Sequence, residues 1–448
     1  MTVKPSFLAA WGLIAALLTA VSSHVSARPG IEIQSVTSPG GITAWLVEDD
    51  TIPLIAMNFS FSGGASVDSD DKAGLANFLS GMLDEGAGDL DSEAFQRRID
   101  ELSVRMSFRA QRDHFTGSLQ TLSQTRDEAF GLLRLALTAP RFDAEPLQRV
   151  RGQILLGILQ DNEDPDHIAN QAWMRAMFAD HPYGRPVEGT AETVNAIQAV
   201  DLEALRQRLF ARQRLRIAVV GDIDAETLKR LLDDTFGALP ATSGVAEVAE
   251  ATPVPGPRID VIERNIPQSV IRFGHGGIKR DDPDFIPAFM VNSILGGGGF
   301  GSRLMQEVRE KRGLVYSVFS SLQPMRRAGL VFGGAATMNE RAAETVAVVR
   351  EELERMAVEG PTEEELDEAK TYLTGSYPLN FDSNSKIANQ LLAIQEDELG
   401  IDYVNRRNGL IEAVRLEDVK RVARRLIDAD GLVITVVGKP EGITSTGQ

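Results

Sequence analysis

The sequence predicts an α+β protein made of two homologous halves. Three observations carry this reading. Strand-like runs are grouped before and after long helical stretches and do not alternate strictly with them. The halves close on matching runs, Arg216–Asp222 (R-I-A-V-V-G-D) and Leu432–Gly438 (L-V-I-T-V-V-G), which marks an internal repeat of about 200 residues. Between them Thr242–Pro257 is rich in Ala, Val, Pro, Gly and Thr and poor in long helix formers, so it reads as an exposed linker. Each half is expected to pack helices on one face of a mostly antiparallel sheet. The domains are then residues 28–241 and 258–448, joined by 242–257.

The first half opens with strand runs at Ile31–Val36, Thr43–Val47 and Leu54–Phe61. Helices follow, then alternating strands near Ser103–Phe108 and Phe115–Leu122. Helical patterns fill 125–210, before the closing strand and a helix over Ala225–Phe236. The second half repeats the plan. Strands are predicted at Ile259–Arg264 and Val270–Gly274, helices at 283–295 and 302–312, and strands at Val315–Leu322 and Leu330–Ala336. Helices over 341–427 lead to the closing strand.

Composition bounds the function. With 448 residues, 43% hydrophobic and 25% charged, the chain is long enough for two to four globular domains. A net charge of −18 without a basic cluster argues against nucleic acid and against anionic membrane surfaces. The absence of cysteine excludes disulfides, thiolate metal sites and cysteine nucleophiles. Met1–Ala27 has Lys4, an apolar run from Phe7 to Val21 and the small-residue ending Val25-Ser26-Ala27. It reads as a cleavable signal peptide. No later segment is apolar enough to span a membrane, so a periplasmic location is expected.

The segment Gly74–Leu83 reads G-L-A-N-F-L-S-G-M-L. Leu75, Phe78, Leu79, Met82 and Leu83 form one buried helical stripe, and Asn77, Ser80 and Gly81 share a second face. Taken alone this is an amphipathic core helix, with Gly81 in its interior at a cost of about 1 kcal/mol. The frame resembles the helix that carries H-x-x-E-H in the inverzincins, the pitrilysin/insulinase family. Asn77 and Gly81 stand at the histidine positions and Ser80 at the glutamate position. The resemblance puts the third ligand, a glutamate, at Gly157, so all three zinc ligands are missing. Asp180–Gly189, D-H-P-Y-G-R-P-V-E-G, looks like a turn of the same family. The resemblance covers nearly all of the chain beyond the signal segment. It implies two domains facing each other across a cleft, as in the short, processing-peptidase-like members whose chains assemble in pairs.

Beyond Ala27 only His114, His167, His181 and His275 remain, and no two are three or four apart. Each reads as a structural or surface histidine. No metal cofactor is expected in this chain; zinc is expected in the partner.

The second half carries the strongest family signal. Gly296–Gly299 is followed by Phe300-Gly301-Ser302-Arg303-Leu304 and by M-Q-E-V-R-E-K-R-G-L-V-Y-S-V. On composition alone Arg309 is a solvated charge and Tyr316 a half-buried strand aromatic. The resemblance makes them the second-domain pair that points at the active site. A guanidinium and a phenol there stabilise the oxyanion of peptide hydrolysis and hold the substrate backbone. Gly313 is expected to end the helix before Tyr316. No G-K-[ST] follows the glycines, so a phosphate loop is disfavoured. Gly297, Gly298, Gly299 and Phe300 are read as a flexible segment for close approach to peptide backbone.

The hairpin Ser103–Leu122 offers an edge strand for strand addition by a peptide, and the acidic balance favours basic peptides. The resulting expectation is a non-zinc subunit of a zinc endopeptidase heterodimer. It supplies Arg309 and Tyr316 to a homologous partner bearing H-x-x-E-H, with peptides as substrates. The alternative is a non-catalytic peptide-binding or assembly protein of the same fold.

Overall fold

A computed structural model describes residues 31–446. The Met1–Ala27 segment lies outside the described residues.

The first sheet contains β1 (Gln34–Thr37), β2 (Thr43–Glu48), β3 (Leu54–Ser62), β4 (Arg105–Ala110), β5 (His114–Leu122) and β6 (Leu215–Gly221), in the order β1-β2-β6-β3-β5-β4. The second contains β7 (Arg258–Glu263), β8 (Gln268–Gly276), β9 (Val315–Pro324), β10 (Gly329–Met338) and β11 (Val433–Gly438), in the order β7-β11-β8-β10-β9. Without β1 the two orders are identical, strand for strand. Each sheet has one parallel pair, β2 with β6 and β7 with β11, and is otherwise antiparallel. The repeat read from the closing strands is therefore a repeat of topology.

The closing strands β6 and β11 sit inside their sheets and are buried almost throughout. This explains why both read as unbroken apolar runs, a pattern of strands covered on both faces. One face of the first sheet packs on helices through a core that includes Phe59, Phe61, Phe115, Phe210 and Phe236. Phe61 and Phe210 stack at 4.7 Å, and each fully buried ring contributes about 2–3 kcal/mol. The second sheet has its own core, with Ile271, Phe273, Val318, Val331 and Leu353.

The opposite faces are covered by exchange. The helix Pro165–Met177 of the first half lies on β8 and β11, where Trp173 is fully buried, donates from Nε1 to Val433 O at 2.9 Å and meets Phe332 edge-on. The helix Asn384–Glu396 of the second half lies on β3 and β6, where Gln395 Nε2 donates to Ile217 O at 2.9 Å and the Asn389 and Asn58 amides meet at 2.7 Å. Sequence pattern placed helices on one face of each sheet; the structure adds one helix of the other half on the second face. Among the described residues no helix is long and apolar enough to cross a membrane.

Candidate functional site

The helix read from Gly74–Leu83 is short. It spans Leu75–Ser80, packs beside β4, and stops at Gly81, whose φ of −80° and ψ of −4° make it the C-cap. Gly81 is thus not the interior glycine that the pattern suggested, and its helix-propensity cost largely disappears. Ser80 is buried and its hydroxyl donates to Asn77 O at 2.7 Å. A Cβ on Gly81 would meet Val150 Cγ1 at 3.1 Å. Val150 belongs to the helix Ala144–Asp161, which also carries Gly157. The structure therefore brings together the two helices that bear the ligand positions. Space survives at Gly157, where an added Cβ meets nothing within 4 Å; donors do not. Asn is a poor zinc ligand and glycine offers no side chain. Among the described residues no group of three His, Cys, Asp or Glu is placed to hold a metal.

The N-terminus of this helix is held by Asp68. Its carboxylate accepts from Gly74 N at 3.1 Å and from Ala76 N at 3.2 Å. Burial pushes its pKa up to about 7, against the opposing pull of those amides and of Arg185.

In the second half the helix Phe285–Asn292 runs into a π-helical turn, Ser293–Gly297, and a second π-helical stretch covers Met305–Glu310. Such turns are rare and gather at functional sites. The glycines have a steric reason. A Cβ on Gly296 would lie 2.5 Å from Ser320 Oγ and 2.6 Å from Ser320 N, so the turn can approach β9 only without a side chain. Gly297 and Gly298 are hemmed in by Asn292 and Ser293, and Gly299 adopts φ +64°. Gly296–Gly298 therefore serve packing within the chain, and the turn they form presents Phe300, 66% exposed.

Arg309 is half-buried, pairs with Glu310 at 3.4 Å and contacts two aromatic rings. Its guanidinium carbon is 4.8 Å from the Phe300 centroid and 5.4 Å from that of Tyr316. Gly313, at φ +60°, donates to Arg309 O at 2.8 Å and turns the chain into β9. There the register against β10 slips between Ala335 and Thr337. The bulge lets Val315 and Val318 both face the core while Tyr316 points outward, 85% exposed. Behind Arg309, Glu307 is clasped by Lys311 at 2.6 Å and Arg312 at 2.7 Å, and Arg303 by Glu365 at 2.6 Å.

Residues 46–191 match the family profile described as insulinase, peptidase family M16, and residues 196–373 match the profile described as peptidase M16 inactive domain. The chain belongs to the M16 peptidase family. The M16 inactive domain structure from Pseudomonas fluorescens superposes with a TM-score of 0.85 at 30% identity, covering 91% of this chain and 98% of that one. A protein of Helicobacter pylori named as a non-peptidase homolog is 27% identical over 77% of this chain and 79% of its own length. An uncharacterized zinc protease of Streptomyces coelicolor is 28% identical over 88% of this chain and 87% of its own.

In this M16 chain the two parts of the site stay separate. Phe300, Arg309 and Tyr316 come together, and Asn77, Ser80 and Gly81 share a helix beside that of Gly157. Among the described residues, neither Arg309 nor Tyr316 has a hydrogen bond or ion pair to the first half. Sequence reasoning missed Asp68, whose only signal is an acidic residue six before Gly74. It also missed the aromatic partner role of Phe300 toward Arg309.

Proposed function

We propose that this M16 chain is the non-zinc subunit of a periplasmic endopeptidase heterodimer, exported by the signal peptide Met1–Ala27, with residues 28–241 and 258–448 as its two domains. The observation that carries the proposal is an exposed Tyr316 beside a half-buried Arg309, paired with Glu310 at 3.4 Å, in a chain whose zinc-ligand positions hold Asn77, Gly81 and Gly157. Zinc held by the partner's H-x-x-E-H helix and downstream glutamate would supply an activated water. Tyr316 then donates its hydroxyl, free of any hydrogen bond among the described residues, to the scissile carbonyl oxygen as charge develops there. Arg309, steadied by its contacts with the Phe300 and Tyr316 rings, holds the neighbouring substrate carbonyls by charge-assisted hydrogen bonds. The partner is a homologous chain with an intact H-x-x-E-H helix and its downstream glutamate.

The test is reconstitution. The purified chain should leave unfolded peptides intact, and mixing it with a zinc-bearing homologue encoded beside it should produce chelator-sensitive hydrolysis. Hydrolysis by the isolated chain sinks the proposal and the non-catalytic alternative together, and none from the pair sinks the proposal and leaves the peptide-binding or assembly reading.

A further inference from the structure

We infer that the cavity where β2 and β6 meet the end of the helix Asn384–Glu396 is a binding site for a free aromatic amino acid, held at once by its carboxylate, its ammonium group and its ring. The inference is independent of the heterodimer reading and uses none of the residues in it. Ala44 and Leu46 of β2 and Ile217 of β6 face the first core, so Trp45 and Arg216 project from the other face of the sheet, where that helix lies. There they line a cavity of about 460 Å³ with Ile42, Arg212, Gln395 and Glu398, a volume in the range of small-molecule sites. The cavity joins the halves: Gln395 and Glu398 come from the second, the others from the first.

The charges in this cavity are unanswered. Among the described residues Arg212, Arg216 and Glu398 have no ion pair, although two guanidiniums and a carboxylate line one space. Among those residues Arg212 donates only to Gly40 O, at 3.2 Å, and its buried Nε has no partner. Arg216 donates to the carbonyl of its neighbour Leu215 at 3.2 Å. Opposite charges that line one space without reaching each other leave a gap that a zwitterion fills. The carboxylate falls to the two guanidiniums. The ammonium falls to Glu398 and to the C-terminal end of the helix, where the helix dipole is negative. Trp45, half-buried, offers an aromatic surface for stacking. The larger cavity, of about 830 Å³, makes no such demand, because Lys279 there pairs with Glu250 at 3.1 Å and Arg280 with Asp397 at 3.4 Å.

Isothermal titration calorimetry on the purified chain tests this without a partner or turnover. L-phenylalanine should bind, and each probe lacking one group should bind at least about tenfold more weakly. The probes are phenylalanine amide without the carboxylate, N-acetylphenylalanine without the ammonium, and alanine without the ring. Arg216→Gln should weaken L-phenylalanine about tenfold and leave phenylalanine amide unchanged. Glu398→Gln should weaken L-phenylalanine and leave N-acetylphenylalanine unchanged. Circular dichroism checks that both variants are folded, and the probe series on the unaltered chain stands by itself. No binding of L-phenylalanine, or a probe that binds as tightly as L-phenylalanine, overturns the inference; if that probe is N-acetylphenylalanine, the cavity takes a peptide C-terminus instead. Tyr316→Phe should leave this binding unchanged, so failure here is separable from failure of the heterodimer reading.

Discussion

The hydroxyl of Tyr183 donates to both carboxylate oxygens of Asp113, at 2.7 and 2.8 Å. It also accepts from Arg327 N at 3.0 Å. Asp113 sits in the turn between β4 and β5, and Arg327 in the turn between β9 and β10. One fully buried side chain thus pins the equivalent hairpins of the two halves to each other. The H-P-Y-G-R-P motif builds this pin: His181 Nδ1 accepts from Tyr183 N at 3.2 Å, and Gly184 lies close under Phe178.

Tyr183→Phe should cost about 1–3 kcal/mol in urea unfolding, because it removes the buried hydroxyl that donates to the half-buried Asp113 carboxylate and leaves Arg327 N without its acceptor. Hydrogen exchange should quicken in both turns, 111–114 and 324–327. Burial, followed by the Asp113 charge, holds the phenol pKa well above its ordinary value, so it stays a donor throughout the accessible pH range.

Asp68 should make stability pH-dependent. Its native pKa of about 7 exceeds the unfolded value of 3.8, so the native state binds the proton more tightly. Its contribution is therefore intact below about pH 4 and is lost as pH rises toward 7. Relative to Asp68→Asn, the wild type should lose on the order of 2–4 kcal/mol across that window. Paired denaturation curves at pH 4.5 and 7.5 measure this; a pH-independent difference would refute it.

Two glycines should respond oppositely to alanine. Gly296→Ala drives a methyl into Ser320 and should destabilise by about 1–3 kcal/mol. Gly157→Ala meets open space in a helix interior and should stabilise by about 0.5–1 kcal/mol. Thermal melts of the two variants decide it.

Metal analysis after dialysis should find no stoichiometric zinc on the isolated chain. A chelator should leave its melting temperature unmoved, since Asn77, Gly81 and Gly157 give a metal nothing to bind.

In the reconstituted pair, Tyr316→Phe should lower turnover about 100- to 1,000-fold with assembly intact, the usual effect of removing one oxyanion donor. Arg309→Ala should also raise KM. Both side chains are exposed or half-buried, so melting temperatures should hardly change. Steady-state kinetics with gel filtration of the same samples reads both.

The strands were legible because their periodicity is strong: Leu54–Phe61 and Phe115–Leu122 lie within one residue of β3 and β5. The turn at Gly313 was legible too, since a left-handed glycine after a helix is a local signal. Helix lengths were less so. Leu75–Leu83 keeps its apolar stripe past Ser80, yet the helix ends at Gly81, because periodicity reports which side chains are buried and not where the backbone leaves the helix. The π turns at 293–297 and 305–310 have no compositional mark. The exchanged helices were invisible for another reason: Trp173 and Gln395 find their partners 260 and 178 residues away.

That exchange makes the linker dispensable as a tether. Cleavage within 242–257 should yield a nicked protein whose fragments co-elute, because each fragment wears part of the other as its lid. A polypeptide ending at the linker would leave β3 and β6 bare on one side, an aggregation-prone surface. Each half expressed alone should therefore be less soluble than the whole chain, since each then lacks the helix that covers its sheet.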